Sequence, residues 1–126
     1  MAIESTQTCI SFTAEVDLSS WQYKPVKIGS ANMTVDKADA DNDPTIGILQ
    51  NKPVAGQPAE VCVAGISKAI AGAALSTPGA LVECEVTTGG MIAAASGGFA
   101  IGRVVQTAAD TEVCSILVSP TYVATA

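Results

Sequence analysis

The sequence predicts an all-β protein, a small single-domain β-barrel or sandwich with an extended N-terminal arm. Short apolar runs recur about every ten residues with turn residues between them, the spacing of strands in barrels and sandwiches. The hydrophobic fraction is 48% while aromatics make up only 4%, so the core is expected to consist of many small side chains on closely spaced strands. A chain of 126 residues has room for one core and buries about two thirds of the surface that its unfolded form exposes. So thin a core favours oligomerisation as a second source of buried area.

Residues 1–20 (MAIESTQTCISFTAEVDLSS) are read as the arm and first strand. Cys9, Ser11 and Thr13 fall on one parity and Ile10, Phe12 and Ala14 on the other, behind a polar leader that needs another surface to hold it. Residues 21–126 make up the β domain. In residues 21–28 (WQYKPVKI), Trp21 and Tyr23 alternate with Gln22 and Lys24 until Pro25, which marks an edge or bulged strand. The two aromatics suit either a partly buried core position or an interface anchor. Residues 36–43 (DKADADND) form a charged loop closed by Pro44.

The chain is organised around residues 45–67 (TIGILQNKPVAGQPAEVCVAGIS). Ile46, Ile48 and Leu49 form a short strand, the Gly and Pro residues of 53–58 force a reversal, and Val61, Val63 and Ile66 restart extended structure. Further on, Pro78-Gly79 suits a type II turn, residues 80–86 alternate as a strand, and Gly89-Gly90 turns the chain into residues 91–95. Residues 101–107 and 112–119 are the last two strands. The only stretch whose composition admits a helix is 67–75, and Gly72 weakens it.

Composition excludes several functions. Six basic residues against 12 acidic give a net charge of −6, which repels a phosphate backbone, so no nucleic acid is expected as a partner. No basic region followed by an apolar stretch opens the sequence, and the longest uncharged window, 86–102, is too broken by Gly, Ser and Thr to span a membrane. Cys9, Cys62, Cys84 and Cys114 include no pair at metal-ligand spacing, and the chain has no His, which argues against zinc. Cys62, Cys84 and Cys114 alternate with apolar residues as small buried strand residues do; reduced thiols are expected there in a cytosolic setting, with disulfides the alternative.

Asp39, Asp41 and Asp43 have the spacing of a calcium loop, but Pro44 replaces its turn Gly and Gln50 its bidentate Glu, so no metal is expected. No base stands ready to activate a Ser or Cys nucleophile. Glu83 and Glu85 share one strand face and read as its wet side rather than as a catalytic pair. No enzyme and no cofactor are expected. One alternative is kept: Asp36-Lys37-Ala38 is the tripeptide at the hairpin tip of lipoyl-type carriers, which would make this a small β-barrel carrier module modified at Lys37, although Val35 stands where such motifs favour a small hydroxyl residue.

Residues 23–28 (YKPVKI), 46–53 (IGILQNKP), 55–61 (AGQPAEV), 65–74 (GISKAIAGAA), 101–104 (IGRV) and 116–120 (ILVSP) follow one another in an order that resembles the small capsid decoration, or cement, proteins of tailed bacteriophages. The first twenty residues and the Asp-rich loop depart from that family's pattern. The resemblance implies a virion protein of the capsid exterior, present in the host cytoplasm during assembly, that binds the major capsid protein, assembles as a homotrimer and bridges neighbouring capsid subunits. The arm and edge strands would add main-chain hydrogen bonds to a capsid strand. Ile3, Ile10, Phe12, Trp21 and Tyr23 are the expected capsid or subunit contacts.

Overall fold

A computed structural model describes residues 5–38, 43–85, 88–94 and 98–122. Its strands are β1 (Ser5–Ala14), β2 (Pro25–Ile28), β3 (Thr34–Lys37), β4 (Thr45–Leu49), β5 (Pro58–Ile70), β6 (Leu81–Cys84), β7 (Met91–Ala93), β8 (Phe99–Gln106) and β9 (Val113–Tyr122). They form one sheet in the order β1-β3-β2-β4-β5-β9-β8-β6-β7. The all-β expectation holds, and the barrel-like form arises because β1 pairs with β5 as well as with β3, which closes β1-β3-β2-β4-β5 into a ring. A second, looser ring follows. Strands β5-β9-β8-β6-β7 curl back until Ala71, just past β5, makes a bridge to Met91 of β7.

Each ring has its own core. Ala14, Leu18, Trp21, Val26, Val35, Leu49, Ala59 and Val61 fill the first, with Phe12, Ile46 and Val63 packed against it. The second contains Met91, Ile101, Ile116, Val82 and Cys114, and takes Ile48 and Cys62 from the shared side. Neighbouring residues on a strand point to opposite faces, so Ile48 and Cys62 serve the second core while Leu49 and Val61, one residue on or back, serve the first. Cys62 and Ala69 lie an odd number of residues apart yet share a core, so the alternation breaks between them. The break coincides with a register irregularity opposite Thr8 and with Gly65, whose φ of +103° and whose distance of 2.0 Å from a notional Cβ to Thr6 O require glycine.

The organising unit is as read: β4 and β5 pair antiparallel, with Ile48 opposite Cys62 and Leu49 opposite Val61. Gly79 has φ +85° and Ala80 N–H donates to Thr77 O, the type II turn expected of Pro78-Gly79. Four local readings are narrowed or corrected. Residues 67–75 are not helical: β5 runs through Ile70, and Ala71 and Leu75 bridge to Met91 and Ala108, because Ala69, Ala71 and Leu75 are claimed by the second core. Pro25 opens β2, which lies between β3 and β4 rather than at an edge, and the register against β4 slips just after Val26, so of the two alternatives the bulged strand is the one that holds.

Residues 21–24 are turns rather than an alternating strand, with Trp21 N–H donating to Leu18 O and Lys24 N–H to Trp21 O. Glu83 is buried, at 7% exposure, instead of lying on a wet face; its strand β6 is flanked in the sheet by β8 and β7. Asp36 and Lys37 belong to β3, and the charged segment expected between them and Pro44 falls largely outside the described residues. Asp43 is described, and pairs with Lys27 at 3.0 Å.

Candidate functional site

The first strand presents an open edge of the sheet. From Ser5 to Thr13, β1 is laddered to β5 on one side. On the other side its pairing with β3 begins only at Thr13 and Ala14, so residues 10–12 have no ladder partner there among the described strands. The sequence of this edge, STQTCISFTA, contains no charge and no Pro. Edge strands usually carry such residues to block pairing with another chain, and a long uncharged edge invites an added strand. Ile10 is 43% exposed on this strand, and Phe12 is half-buried against the first core.

The remaining expected contact residues separate from that edge. Ile3 lies outside the described residues. Trp21 is buried at 5% exposure and is a core residue of this chain, its Nε1–H donating to Pro25 O at 2.6 Å. The indole also reaches the second ring: a Cβ on Gly89, in the β6–β7 loop, would fall 2.3 Å from Trp21 Cζ2. Lys24 Nζ and Lys37 Nζ stand 4.8 and 5.3 Å from the ring centroid, a cation–π arrangement. Burial first, and the Lys37 charge second, lower the Lys24 amine below its ordinary value of 10.5. Tyr23 has φ +63°, a left-handed conformation rare for a bulky residue, held by its N–H to Leu49 O and by Ile70 N–H to its carbonyl. Structure therefore groups Ile10 with Phe12 and Trp21 with Tyr23, as two separate places.

Lys37, expected at a hairpin tip under the carrier reading, is instead the last residue of β3, opposite Val26, with its amine against Trp21. Beside this corner a cleft of about 440 Å³ runs between the rings, lined by Lys24, Glu85, Thr88, Asp110 and Thr111 among others. Its polar groups are one amine, carboxylates and hydroxyls.

Two exposed apolar groups were not picked out from sequence. Leu117, 45% exposed, sits in a cross-strand row with Ile66, Arg103 and Leu81 on the outer face of the second ring. Val16, Ile28, Met33 and Val54 are exposed on or beside the loops that meet residues 13–18, where Thr13 N–H donates to Met33 O and Gly56 N–H to Ala14 O. Period-two alternation hides the first group, since an exposed Leu on a strand reads as its buried face. Only the absence of charge in residues 5–14 could have exposed the open edge in the sequence.

The class defined by this geometry is a small all-β scaffold of two fused rings with an open edge along β1. The same scaffold is found in a solved viral structure, the N base of head fiber gp8.5 of bacteriophage phi29, with a TM-score of 0.69 over 90% of this chain and 95% of that chain. Sequence identity between them is 14%, so what they share is the fold. No protein-family description matches the sequence, and no curated protein is similar to it.

Proposed function

We propose that the protein is a structural, non-enzymatic component of the exterior of a phage head, acting as a capsid decoration or cement protein that braces contacts between major capsid protein subunits. The observation that carries this reading is the match to a phage head fiber base along nearly the full length of both chains. The motif order of residues 23–120 supports it independently. In this reading β1 is the docking element: a strand or loop of the capsid protein adds to its open edge, with Ile10 covered on binding. Copies associate as trimers, so that three weak attachments act together through their effective concentration. The exposed row around Leu117 supplies apolar surface for contact between copies. The site of action is the virion, reached from the host cytoplasm during assembly.

Copurification tests the reading directly. Tagged protein, expressed during infection by the phage that encodes it, should sediment with intact heads and bring the major capsid protein with it. Ile10→Lys with Ser11→Lys should abolish cosedimentation while leaving the circular dichroism spectrum unchanged. Protein found only in the soluble fraction, with no capsid protein attached, would overturn the proposal.

A further inference from the structure

Cys9 and Cys62 stand opposite one another in the β1–β5 ladder. Directly opposed strand residues point to one face, and here it is the face turned away from the first core, since Phe12, Ala14 and Val61 of the other parity point into that core. Cys62 is wholly buried beside Ile48 in the second core, whereas Cys9 is exposed. The pair thus spans the boundary between interior and solvent, with one sulfur accessible to reagents and the other behind it.

Its geometry is close to that of a cross-strand disulfide. Opposed residues have Cα atoms about 4.5 or 5.5 Å apart, within the roughly 4.4–6.8 Å that a disulfide spans. Their Cβ atoms, ~4.5–5.5 Å apart, need to approach by about 1 Å to reach the ~3.5–4.5 Å of a bridge. The ladder is already irregular at this point, between Thr8 and Cys9, where a small shift disturbs least. The sulfurs' contacts include Cys9 Sγ to Gln7 Oε1 at 3.5 Å and Cys62 Sγ to Ala64 O at 3.2 Å.

We infer that Cys9 and Cys62 are a redox pair that closes to a disulfide when the protein meets a small-molecule disulfide such as oxidised glutathione, and reopens in a thiol reductant. The Cys9 thiolate attacks one sulfur of the oxidant, forming a mixed disulfide and expelling one glutathione thiolate. Cys62 then gives its proton to that thiolate and attacks the Cys9 sulfur, so the mixed bond breaks and a second glutathione leaves. The protein loses two protons and two electrons, and the oxidant takes them up as two thiols, the second glutathione thiolate taking the proton that Cys9 released on ionising. Cys114 stays out of this exchange: it is buried, its thiol is pushed up to about 11 by desolvation, and its Sγ lies 3.3 Å from Ala69 O.

Closure would pin the open strand to β5 across the seam of the first ring once the protein leaves a reducing cell, and it does not depend on the head-surface reading. Full-length protein treated with oxidised glutathione and analysed by intact mass under non-reducing conditions should lose the mass of two hydrogens. Peptide mapping should give one linked pair containing Cys9 and Cys62. The bridge closes a loop of roughly fifty residues, so Tm should rise on the order of 10 °C and return on reduction. Cys9→Ser should remove both the mass change and the Tm shift without loss of fold. A lasting glutathione adduct on Cys9, a dimer linked through Cys9, or a bridge to any other cysteine would each overturn the inference. Mapping the wild-type protein decides it even where Cys62→Ser fails to fold.

Discussion

The two rings share β5 and the same strand chemistry, yet they close in different ways. The first closes by laddering, with β1 laid along β5 through most of its length, and its interior is plugged by one large residue, Trp21, tied to the backbone through Pro25 O. The second closes through one bridge, Ala71 to Met91, reinforced by Gly72 N–H to Met91 O. Among the described residues its core has no aromatic side chain. The chains meet because Gly72 and Gly90 have no side chains: a Cβ on Gly90 would lie 2.6 Å from Gly72 Cα. One ring rests on shared hydrogen bonds and buried area, the other on close backbone approach.

If that contrast is right, the largest loss should come from Trp21. Trp21→Ala removes the plug of the first core and the surface on which Gly89 of the second ring rests, so it should cost about 3–5 kcal/mol by urea denaturation, the range for buried aromatics. Both rings should weaken together in hydrogen exchange. Protection kept in β6 and β7 would show that Trp21 does not couple them.

Gly90→Ala should have a smaller and one-sided effect. The added methyl has backbone in front of it, so the close approach opens at a cost of about 1–3 kcal/mol. Amides of β7 should lose protection while those of β2 and β3 keep theirs. Equal loss in both rings would mean that the second ring is not separately closed.

Because alternation and turn residues act locally, the sequence revealed the β4–β5 unit and the strands β6 to β9, and it missed β3. It did not reveal that the cores are two. A single alternating strand cannot say which core each face serves, and β5 serves both only because Gly65 and the irregularity opposite Thr8 change its phase. Over residues 67–75 the helix that composition admits gives way to extended structure: Ala favours helix locally, but here Ala69 and Ala71 belong to the second core and β5 runs through Ile70. Trp21 shows the limit for the site. Composition admitted both core and interface, and only the hydrogen bond to Pro25 O and the contact at Gly89 place it inside. The edge of β1 was half legible, since its lack of charge can be read from residues 5–14, but its missing neighbour depends on where β3 begins.

The smallest expected effect lies at the rim of the first ring and sharpens the picture of how its loops are tied. Glu15 Oε1 accepts from the Ser30 N–H at 2.8 Å and from the Ser30 hydroxyl, fastening the β2–β3 hairpin tip to the segment after β1. These hydrogen bonds, the Ser30 hydroxyl first and its backbone N–H second, hold the Glu15 carboxyl below its ordinary value of 4.5. A carboxyl lowered by folding contributes its stabilisation above 4.5 and loses it as pH falls through the lower folded value. Glu15 is at the surface and only partly covered, so the effect should be local: as pH drops below 4.5 the Ser30 amide should lose hydrogen-exchange protection before the amides of β2, and Glu15→Gln should weaken that protection at neutral pH and remove its acid dependence. A Ser30 amide that stays protected through acid, or an acid transition unchanged in Glu15→Gln, would mean that the tip is held by Thr34 and Gly29 alone, whose bond, Gly29 N–H to Thr34 O at 2.8 Å, does not titrate.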